Sequence, residues 1–395
     1  MRLFRIWGLQ MISSAIVIGG GIAGMASAAV LGRMGASVTV LEQAPMLGEV
    51  GAGLQVSPNG LCVLRALGLE PELINRGALR ANAVSLRDYR RSGEVARLDL
   101  QRLAPDQAYY FVHRADLLDV LKGAAKRASA DIRLHQPVTE VRKGDIPEVV
   151  LAHGDVLRAE LIIGADGVHS VARSSLNPKS SAFFTKQVAW RAIVPNVVAH
   201  PKEARVYMGP GKHIVSYPLR GGSFVNLVAV EERNDWQDEG WQQHGDPDQL
   251  RATFANFTGG AAPLLDAVEQ TSLWGLFRHP VASTWYDQGV ALVGDAAHPM
   301  LPFMAQGANM ALEDAWDLGR ALKAGSIRSY QNRRLKRVTK VVKATQGNAK
   351  RYHLRSGPIR LAAHLGLKTA SKVAPSLMLK PFDWLYRHDV TDKRY

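Results

Sequence analysis

The pattern of apolar and polar positions predicts an α/β chain that begins with a compact supersecondary unit. A short apolar run over 14–20 (SAIVIGG) predicts a buried strand, and the small and apolar residues of 22–34 are compatible with a helix. A second apolar run over 37–42 (SVTVLE) predicts another strand. Strand, glycine-rich turn, helix and strand within about 30 residues indicate a βαβ unit.

Two further strand-like runs end in glycine turns much later in the chain, AELIIGADG at 159–167 and GVALVGDAAH at 289–298. Between them, 179–284 is rich in aromatic residues and in alternating apolar and polar positions, which are typical of an antiparallel sheet. A helix is predicted from Gly307 to about Lys323. The first fold is therefore interrupted by a β-rich region and resumes at residue 285.

Composition narrows the class of protein. The 395 residues suggest two to three domains, at about 150 residues per domain. Apolar residues make up 47% and charged residues 21%, which excludes general disorder. The single cysteine, Cys62, excludes an intramolecular disulfide and a multi-cysteine metal site, and it fits a reducing compartment such as the cytoplasm. No apolar stretch approaches the roughly 20 residues that a membrane span requires.

The positive charge is concentrated near the C-terminus. Of a formal net charge of +14, residues 320–395 carry 19 basic and three acidic side chains, whereas the other 319 residues have a net charge of −2. Such a tail can attract nucleic acid or anionic lipid. Apolar residues are threaded through it, so we predict a folded helical segment with a solvated basic face. Attachment to a membrane or to nucleic acid is an alternative function, but neither is an expected partner.

The first chemical motif is Gly19-x-Gly21-x-x-Gly24, which follows a predicted strand and opens a helix. The first glycine permits the tight turn, the second lets the backbone approach a pyrophosphate, and the third allows close packing of helix and strand. Glu42 ends the next strand, where a carboxylate can bind a ribose 2′-hydroxyl. These features predict dinucleotide binding without distinguishing FAD from NAD.

A second motif favours FAD. In the segment 292–299 (LVGDAAHP), a predicted strand places Asp295 at its C-terminal end, where a hydrogen-bond acceptor suits the ribitol of a flavin. The predicted helix at Gly307 would direct its N–H groups and positive dipole end towards the negative charge of a reduced flavin.

With these motifs the chain resembles the class A, single-component FAD-dependent aromatic hydroxylases, of the salicylate and hydroxybenzoate hydroxylase type. The resemblance covers nearly the whole chain from Ile12 onwards. Besides the two motifs above, it rests on Gly51–Gln55, His113–Leu118, Gly164–Ser170, and Asp383–Tyr386 with Asp389.

The resemblance implies an α/β fold with a Rossmann-like, three-layer FAD-binding domain of the para-hydroxybenzoate hydroxylase kind. An inserted mixed β-sheet would form the substrate domain, and the C-terminus would be helical. The predicted parts are a non-core extension (1–11), the FAD-binding domain (12–75, 105–178 and 285–330), the substrate domain (76–104 and 179–284) and a basic helical segment (331–395).

The resemblance also assigns roles to cofactor-binding residues. Glu42 would bind the adenosine ribose, and Asp295 the pyrophosphate–ribitol portion. Arg114 would bind a phosphate or the ribitol region, although a surface arginine at a helix start is the alternative. Asp166 and Gly167 match a fingerprint that supports FAD and a transient nicotinamide, so NADH or NADPH would visit rather than reside. The complete implied set is Gly19, Gly21, Gly24, Glu42, Gln43, Gly53, Arg114, Asp166, Gly167, Asp295, Gly307, Ala308 and Asn309.

The implied reaction is NAD(P)H-driven hydroxylation of a small aromatic substrate by O₂, through a C4a-hydroperoxyflavin, with a phenolic carboxylate as the expected substrate. The run Met300–Met304 is entirely apolar, so a bulkier or less polar aromatic is the alternative substrate. The hydroxyl of a phenol has a pKa near 10, so a base is useful at neutral pH. An FAD-dependent dehydrogenase or reductase on the same fold is the alternative. The sequence leaves open whether the chain forms a homodimer.

His213 is the predicted base, because histidine titrates near neutral pH. Alternation along the strand puts His213, Val215 and Tyr217 on one face, so Tyr217 is the second predicted catalytic residue. A structural strand histidine is the alternative. Trp190 would form an aromatic wall and Arg191 would bind a carboxylate, unless it faces solvent. The predicted substrate-binding residues are Trp190, Arg191, Pro302 and Phe303.

Overall fold

The computed structural model describes residues 12–48, 52–91, 93–234, 243–392 and 394. The predicted extension 1–11 and Gly51 of the loop motif lie outside the described residues.

The strands follow one another closely in the chain. They are β1 (Ser14–Ile18), β2 (Ser37–Leu41), β3 (Gly53–Val56), β4 (Leu79–Arg80), β5 (Ala83–Asp88), β6 (Glu94–Asp99), β7 (Tyr110–His113), β8 (Asp131–Arg133), β9 (Val138–Arg142), β10 (Glu148–Leu151), β11 (Val156–Arg158), β12 (Leu161–Gly164), β13 (Phe183–Pro195), β14 (Glu203–Gly209), β15 (Lys212–Leu219), β16 (Phe224–Glu232), β17 (Gln243–Gly245), β18 (Thr271–Arg278), β19 (Tyr286–Asp287) and β20 (Val290–Leu292).

The longest helices are near the C-terminus. The α-helices are α1 (Ile22–Arg33), α2 (Pro58–Ala66), α3 (Glu70–Asn75), α4 (Arg114–Arg127), α5 (Val171–Leu176), α6 (Pro247–Thr253), α7 (Ala262–Asp266), α8 (Gly307–Lys323), α9 (Ile327–Tyr352), α10 (Gly357–Val373) and α11 (Asp383–Tyr386). In the part of the chain that the structure describes, no helix has both the length and the apolar content to cross a membrane.

The first sheet contains the predicted βαβ unit. Its strand order is β19-β20-β12-β1-β2-β8, and β20 to β8 are parallel. The apolar runs of β1 and β12 are buried along almost their whole length, because helices cover a parallel sheet on both faces. The predicted Rossmann-like order of strand, glycine turn and helix is confirmed, with α1 packed against α4 and α8.

The second sheet is larger and mostly antiparallel, in the order β17-β18-β13-β16-β15-β14-β5-β6, with β5 and β14 parallel. One of its faces packs on α6 and α7 through an apolar core that includes Ile214 and Phe254. The opposite face turns towards the first sheet. Together with the helical C-terminus, this confirms the predicted α/β fold with an inserted mixed sheet.

The C-terminal helices close the space between the two sheets. Helix α9 packs along α8, and α10 packs against β6 at the edge of the second sheet. Part of the basic charge predicted for this region faces the protein, since Arg333 and Arg334 of α9 pair with buried carboxylates on α8. Most of the other described lysines and arginines, such as Lys336 and Lys343, are exposed, as expected of a solvated basic face. The tail is therefore an integral part of the fold.

Candidate functional site

A cavity of about 1090 Å³ lies between the two sheets and the C-terminal helices. It begins at the carboxyl ends of β1, β2 and β12, which is where open α/β sheets bind their ligands. It then continues along the inner face of the second sheet. Most predicted site residues line it: Gly19, Gly21, Glu42, Gln43, Gly53, Arg114, Asp166, Gly167, Arg191, His213, Tyr217, Asp295, Pro302, Phe303, Gly307 and Ala308.

The three glycines after β1 each meet a different constraint. Gly19 has φ +101°, and a Cβ there would lie 2.5 Å from the Ala165 carbonyl oxygen. A Cβ on Gly24 would lie 1.9 Å from the carbonyl oxygen of Gly19, so α1 approaches its own turn closely. A Cβ on Gly21 would meet nothing within 4 Å. The cavity thus reaches the bare backbone at the start of α1, as pyrophosphate binding requires.

Glu42 is held in place at the end of β2. Its Oε2 accepts a hydrogen bond from the Gly20 N–H at 2.7 Å, and Oε1 accepts one from the Ala44 N–H at 2.8 Å. The carboxylate therefore has a fixed position on the cavity wall, with acceptor capacity left for a ligand hydroxyl.

Asp295 projects into the cavity from the turn after β20. Protein surrounds this turn, and the exposed surface of the side chain faces the cavity. Burial raises the pKa of this carboxyl, and the nearby His298 and Arg114 oppose that shift. Asp314 of α8 fixes the turn: it accepts hydrogen bonds from the Gly294 N–H at 2.9 Å and from His298 Nε2 at 2.5 Å.

Asp166 belongs to the turn after β12. It accepts hydrogen bonds from Ser170 Oγ at 2.5 Å and from the Ala172 N–H at 3.1 Å, and burial raises its pKa. Arg173 then connects this turn to the one that carries Asp295, because its Nη1 donates to the carbonyl of Ala296 at 3.0 Å. The ends of β12 and β20 are thereby held together.

This end of the cavity fits FAD. The N-termini of α1 and α8 both open onto it, and they supply N–H donors and positive dipole ends for phosphates and for a reduced flavin. Glu42 and Asp295 would supply acceptors for the ribose and ribitol hydroxyls, and the open space at Gly21 admits close approach of a phosphate to the backbone. Bound FAD supplies the redox chemistry with O₂.

The second sheet forms the other wall of the cavity. His213, Val215 and Tyr217 line it together, because alternate residues of β15 face the same side. Arg191 lies across the sheet from Val215, by way of Val228 on β16. The guanidinium of Arg191 stacks over the ring of Trp274, 4.3 Å from its centroid.

His213 is almost completely buried, with 1% of its surface exposed. Its ring contacts those of Phe303 and Tyr352, with centroids 5.2 and 5.4 Å away. Burial holds the pKa of His213 well below its usual range, and the neighbouring His353 lowers it further. The imidazole is therefore neutral at pH 7 and has a nitrogen available to accept a proton.

Tyr217 stacks on Phe111, with ring centroids 5.1 Å apart. Burial raises the pKa of the Tyr217 hydroxyl far above its ordinary value, so the side chain stays protonated and acts through hydrogen bonds.

Three predicted residues are not brought to the cavity. Trp190 is fully buried in the core on the opposite face of β13, because neighbouring strand residues such as Trp190 and Arg191 point to opposite sides. Gly24 packs inside α1. The Asn309 side chain is used within the protein: its Oδ1 accepts from the Ser57 N–H at 3.0 Å, and its Nδ2 donates to the carbonyl of Gln55 at 2.9 Å.

The sequence analysis did not identify several residues that complete the site. Trp274 supports Arg191, and Asn226 accepts a hydrogen bond from the Gly53 N–H at 2.7 Å. His353 follows α9 and reaches His213 from 140 residues away. No local motif marks these positions, since each depends on contacts between distant parts of the chain.

Comparison with known proteins supports the presence of an FAD site in this chain. The family model for the FAD binding domain matches residues 13–345. A 3-amino-4-hydroxybenzoate 2-monooxygenase of Streptomyces platensis, PtnB3, is 34% identical over 391 residues, covering 94% of each protein. A 3-hydroxybenzoate 6-hydroxylase of Klebsiella oxytoca is 32% identical and covers 95% of this chain and 96% of that protein. A salicylate hydroxylase substrate complex shares the fold, with a TM-score of 0.79 at 23% identity over 96% of each chain.

The match extends over nearly the entire chain and includes both glycine motifs. The relatives are monooxygenases, so the dehydrogenase or reductase alternative is not retained. The chain belongs to the class A flavoprotein aromatic hydroxylases and is an FAD-dependent monooxygenase that uses NAD(P)H as its reductant.

Proposed function

We propose that this enzyme hydroxylates a phenolic aromatic carboxylate of the salicylate or hydroxybenzoate type. In the balanced reaction, one oxygen atom of O₂ replaces a ring hydrogen as a hydroxyl group. The other oxygen leaves as water, and NAD(P)H with a proton supplies the two electrons. The proposal rests on one observation. His213, which is neutral at pH 7, and Arg191 line the same wall of the cavity.

His213 is the proposed base for the substrate hydroxyl. Ionising the phenol makes the ring more electron-rich and hence easier to attack with an electrophilic oxygen. A buried imidazole with a lowered pKa is unprotonated when the substrate arrives, and only 1% of the His213 surface is exposed to solvent. Tyr217, at the other end of the same strand face, is proposed to orient the substrate through its hydroxyl.

Arg191 is the proposed partner of the substrate carboxylate. A guanidinium binds a carboxylate through parallel hydrogen bonds, and stacking on Trp274 holds its plane in one orientation. Pro302 and Phe303 add apolar surface to the cavity, and Phe303 packs against the second sheet, where it contacts His213. Apolar walls and a guanidinium suit a flat ring that carries a carboxylate.

The cofactor roles of individual residues are also part of the proposal. Glu42 binds the adenosine ribose, Asp295 the pyrophosphate–ribitol portion and Arg114 a phosphate. Asp166, with Gly167 beside it, supports the visiting nicotinamide as well as FAD. The backbone at the start of α8, rather than the Asn309 side chain, faces the flavin ring, because that side chain is hydrogen-bonded to Gln55 and Ser57 at the end of β3.

We further propose the predicted domain boundaries and a cytoplasmic location. Residues 83–99 pair into the same sheet as residues 183–278, which supports assigning 76–104 and 179–284 to one substrate domain. A single cysteine, Cys62, supports a reducing compartment.

The test is NAD(P)H oxidation in air by the FAD-loaded enzyme, with salicylate, 3-hydroxybenzoate and 4-hydroxybenzoate as substrates and benzoate as a matched compound without a hydroxyl group. Product mass is followed in the same assay. We expect at least one hydroxybenzoate to accelerate oxidation and to gain one oxygen atom. Accelerated oxidation without oxygen in any product would contradict the proposed substrate class.

A second experiment tests whether Arg191 binds the substrate carboxylate. Arg191→Met should raise KM for the carboxylate substrate at least tenfold, since a charge-assisted hydrogen bond contributes about 1.5–3 kcal/mol. It should change KM for the same phenol without its carboxylate much less. Arg158→Met serves as the matched control, because this arginine pairs with Glu148 on an exposed hairpin. Equal KM increases for both phenols would exclude a carboxylate-binding role.

A further inference from the structure

A continuous row of titratable side chains leads from the base His213 to the protein surface. His213 Nδ1 lies 2.6 Å from His353 Nε2, and His353 Nδ1 lies 3.0 Å from Glu232 Oε1. Exposure increases along the row, from 1% at His213 and 4% at His353 to 31% for the Glu232 side chain. Arg355 then pairs with the outer oxygen of Glu232.

We propose that His353 and Glu232 are a proton relay that carries the proton taken up by His213 from the substrate hydroxyl out to solvent. The inference rests on the proposed function, because that function makes His213 the acceptor of this proton. His353 and Glu232 act through His213, so they are positioning and relay residues rather than catalytic ones.

The hydrogen-bond chemistry fixes the direction of the relay. A carboxylate such as Glu232 only accepts, so the facing His353 Nδ1 carries a hydrogen and donates it. In a neutral imidazole the other nitrogen then accepts, so His353 Nε2 accepts from the Nδ1–H of His213. His213 in turn has an unprotonated Nε2. The Glu232 carboxylate at the outer end of the row thus sets the tautomer of His213 at the inner end, through His353.

The proton balance of the step closes within the row. The substrate O–H bond breaks as a bond forms between its proton and His213 Nε2. The Nδ1 proton of His213 passes to His353 Nε2, and the Nδ1 proton of His353 passes to Glu232. The half-exposed carboxylate releases that proton to water. Both histidines end neutral in the opposite tautomer, and rotation of the rings or return of a proton along the row restores the starting tautomers.

The surroundings of the row favour neutral histidines at its buried end and an ionised Glu232 at its exposed end. Burial lowers the pKa of His213 and of His353, so neither stores the proton at pH 7. Burial would raise the pKa of Glu232, but Arg355 and His353 outweigh it and lower the pKa. The other charged or titratable side chains nearby are Lys212 on β15, Glu231 on β16, and Arg351 and Tyr352 at the end of α9.

The backbone also fastens the relay to the sheet. The Gly211 N–H donates to the His353 carbonyl at 3.3 Å, and the Glu232 N–H donates to the Gly211 carbonyl at 3.0 Å. The chain leaving α9 is thereby bound at the turn between β14 and β15, beside His213. The distance between the two histidines is thus set by main-chain contacts as well as by their rings.

The experiment uses the FAD-loaded holoenzyme and the variants His353→Gln and Glu232→Gln. It measures proton release to a pH-indicator dye after mixing with 3-hydroxybenzoate, or with the best substrate of the panel, in the absence of NAD(P)H. We expect the variants to release the proton at least tenfold more slowly at pH 7 than the parent enzyme. The steady-state kcat should fall as well and recover above pH 9, where solution increasingly ionises the phenol.

Matched surface variants separate the relay from a general effect of substitution. Glu140→Gln removes a carboxylate paired with Arg142 on an exposed hairpin, and His153→Gln removes an exposed histidine. Both should behave like the parent enzyme. Flavin content and melting temperature are recorded for every variant, so that loss of folding is recognised. If Glu232→Gln folds and His353→Gln does not, the proton-release rate of Glu232→Gln alone tests the relay.

Two results would overturn the relay. One is unchanged proton release in folded variants, and the other is a kcat loss that is equal at every pH. Failure of the proposed function looks different, since the parent enzyme itself would then transfer no oxygen to any phenol of the panel.

Discussion

At the scale of single residues, Gly21 and Gly24 look equivalent in the motif but are constrained for different reasons. A Cβ on Gly24 would overlap the Gly19 carbonyl, whereas one on Gly21 would project into open cavity space. Gly21 also has φ −75°, which any residue can adopt. One glycine is therefore required for folding, and the other for leaving room at the cofactor site.

We predict that Gly24→Ala lowers the melting temperature by several degrees or prevents folding, because a contact of 1.9 Å with backbone cannot be relieved by a side-chain movement. Gly21→Ala should retain the parent melting temperature as apoprotein and bind FAD at least tenfold more weakly. Thermal unfolding of the apoproteins and a flavin titration measure the two effects. Equal stability losses in both variants would show that the distinction is incorrect.

Buried charge dominates at the scale of elements, where α8 meets α9. Glu313 and Asp314 of α8 are fully buried, and Arg334 of α9 contacts both; its Nε lies 2.7 Å from Asp314. Arg337 adds a second partner for Glu313 at 2.6 Å. Asp314 also holds the turn that carries Asp295. The pairing of two helices thus supports the position of Asp295, the proposed ligand of the pyrophosphate–ribitol portion.

We predict that Arg334→Leu lowers the free energy of unfolding by about 3–5 kcal/mol, because it leaves buried carboxylates without a fully buried cation between them. Urea unfolding of the apoprotein gives the value. Lys336→Leu, on an exposed position of the same helix, is the control and should change stability by less than about 0.5 kcal/mol. A similar loss in both variants would mean that the pairing contributes little.

At the scale of the whole molecule, the cavity is assembled from parts that lie far apart in the chain. The parallel sheet contributes the glycine turns, the mixed sheet contributes His213 and Arg191, and the end of α9 contributes the contact to His353. Ion pairs and buried histidines are spread through all three regions. Acid should therefore act on the entire fold at once.

We predict that the free energy of unfolding falls as pH drops below about 6.5. Burial lowers the pKa of His200 to about 4, so the unfolded chain takes up this proton first, between the ordinary value of 6.5 and about 4. Burial would raise the pKa of Glu313, but Arg334 and Arg337 lower it to about 2. Its stabilising contribution is present above the unfolded value of 4.5 and is lost as pH falls towards about 2.

The urea midpoint measured from pH 7 to pH 3 checks this prediction. Glu313→Gln should start from a lower midpoint and show a shallower decline below pH 4.5, since one of the titrating groups is gone. Parallel declines in the two proteins would contradict the assignment.

Elements whose signals are local could be predicted from the order of the amino acids. The strand, glycine turn and helix over 14–33 appear at the predicted place, and so does the helix Gly307–Lys323. Glu42 directly follows β2 and Asp295 lies in the turn after β20, and both line the cavity, as expected of carboxylates placed after apolar strands. The alternation of β15 correctly grouped His213 with Tyr217. Short-range periodicity and turn chemistry are properties of neighbouring residues, so a single chain displays them directly.

Long-range packing determines which side of a strand faces the cavity and which distant groups meet there. Trp190 and Arg191 are adjacent in sequence, and burial of one face against α6 and α7 sent the tryptophan away from the site. The partner of His213 comes from beyond α9, and a few arginines of the basic tail pair with buried carboxylates on α8. These outcomes depend on how helices and sheets pack over long sequence separations, which local pattern does not encode.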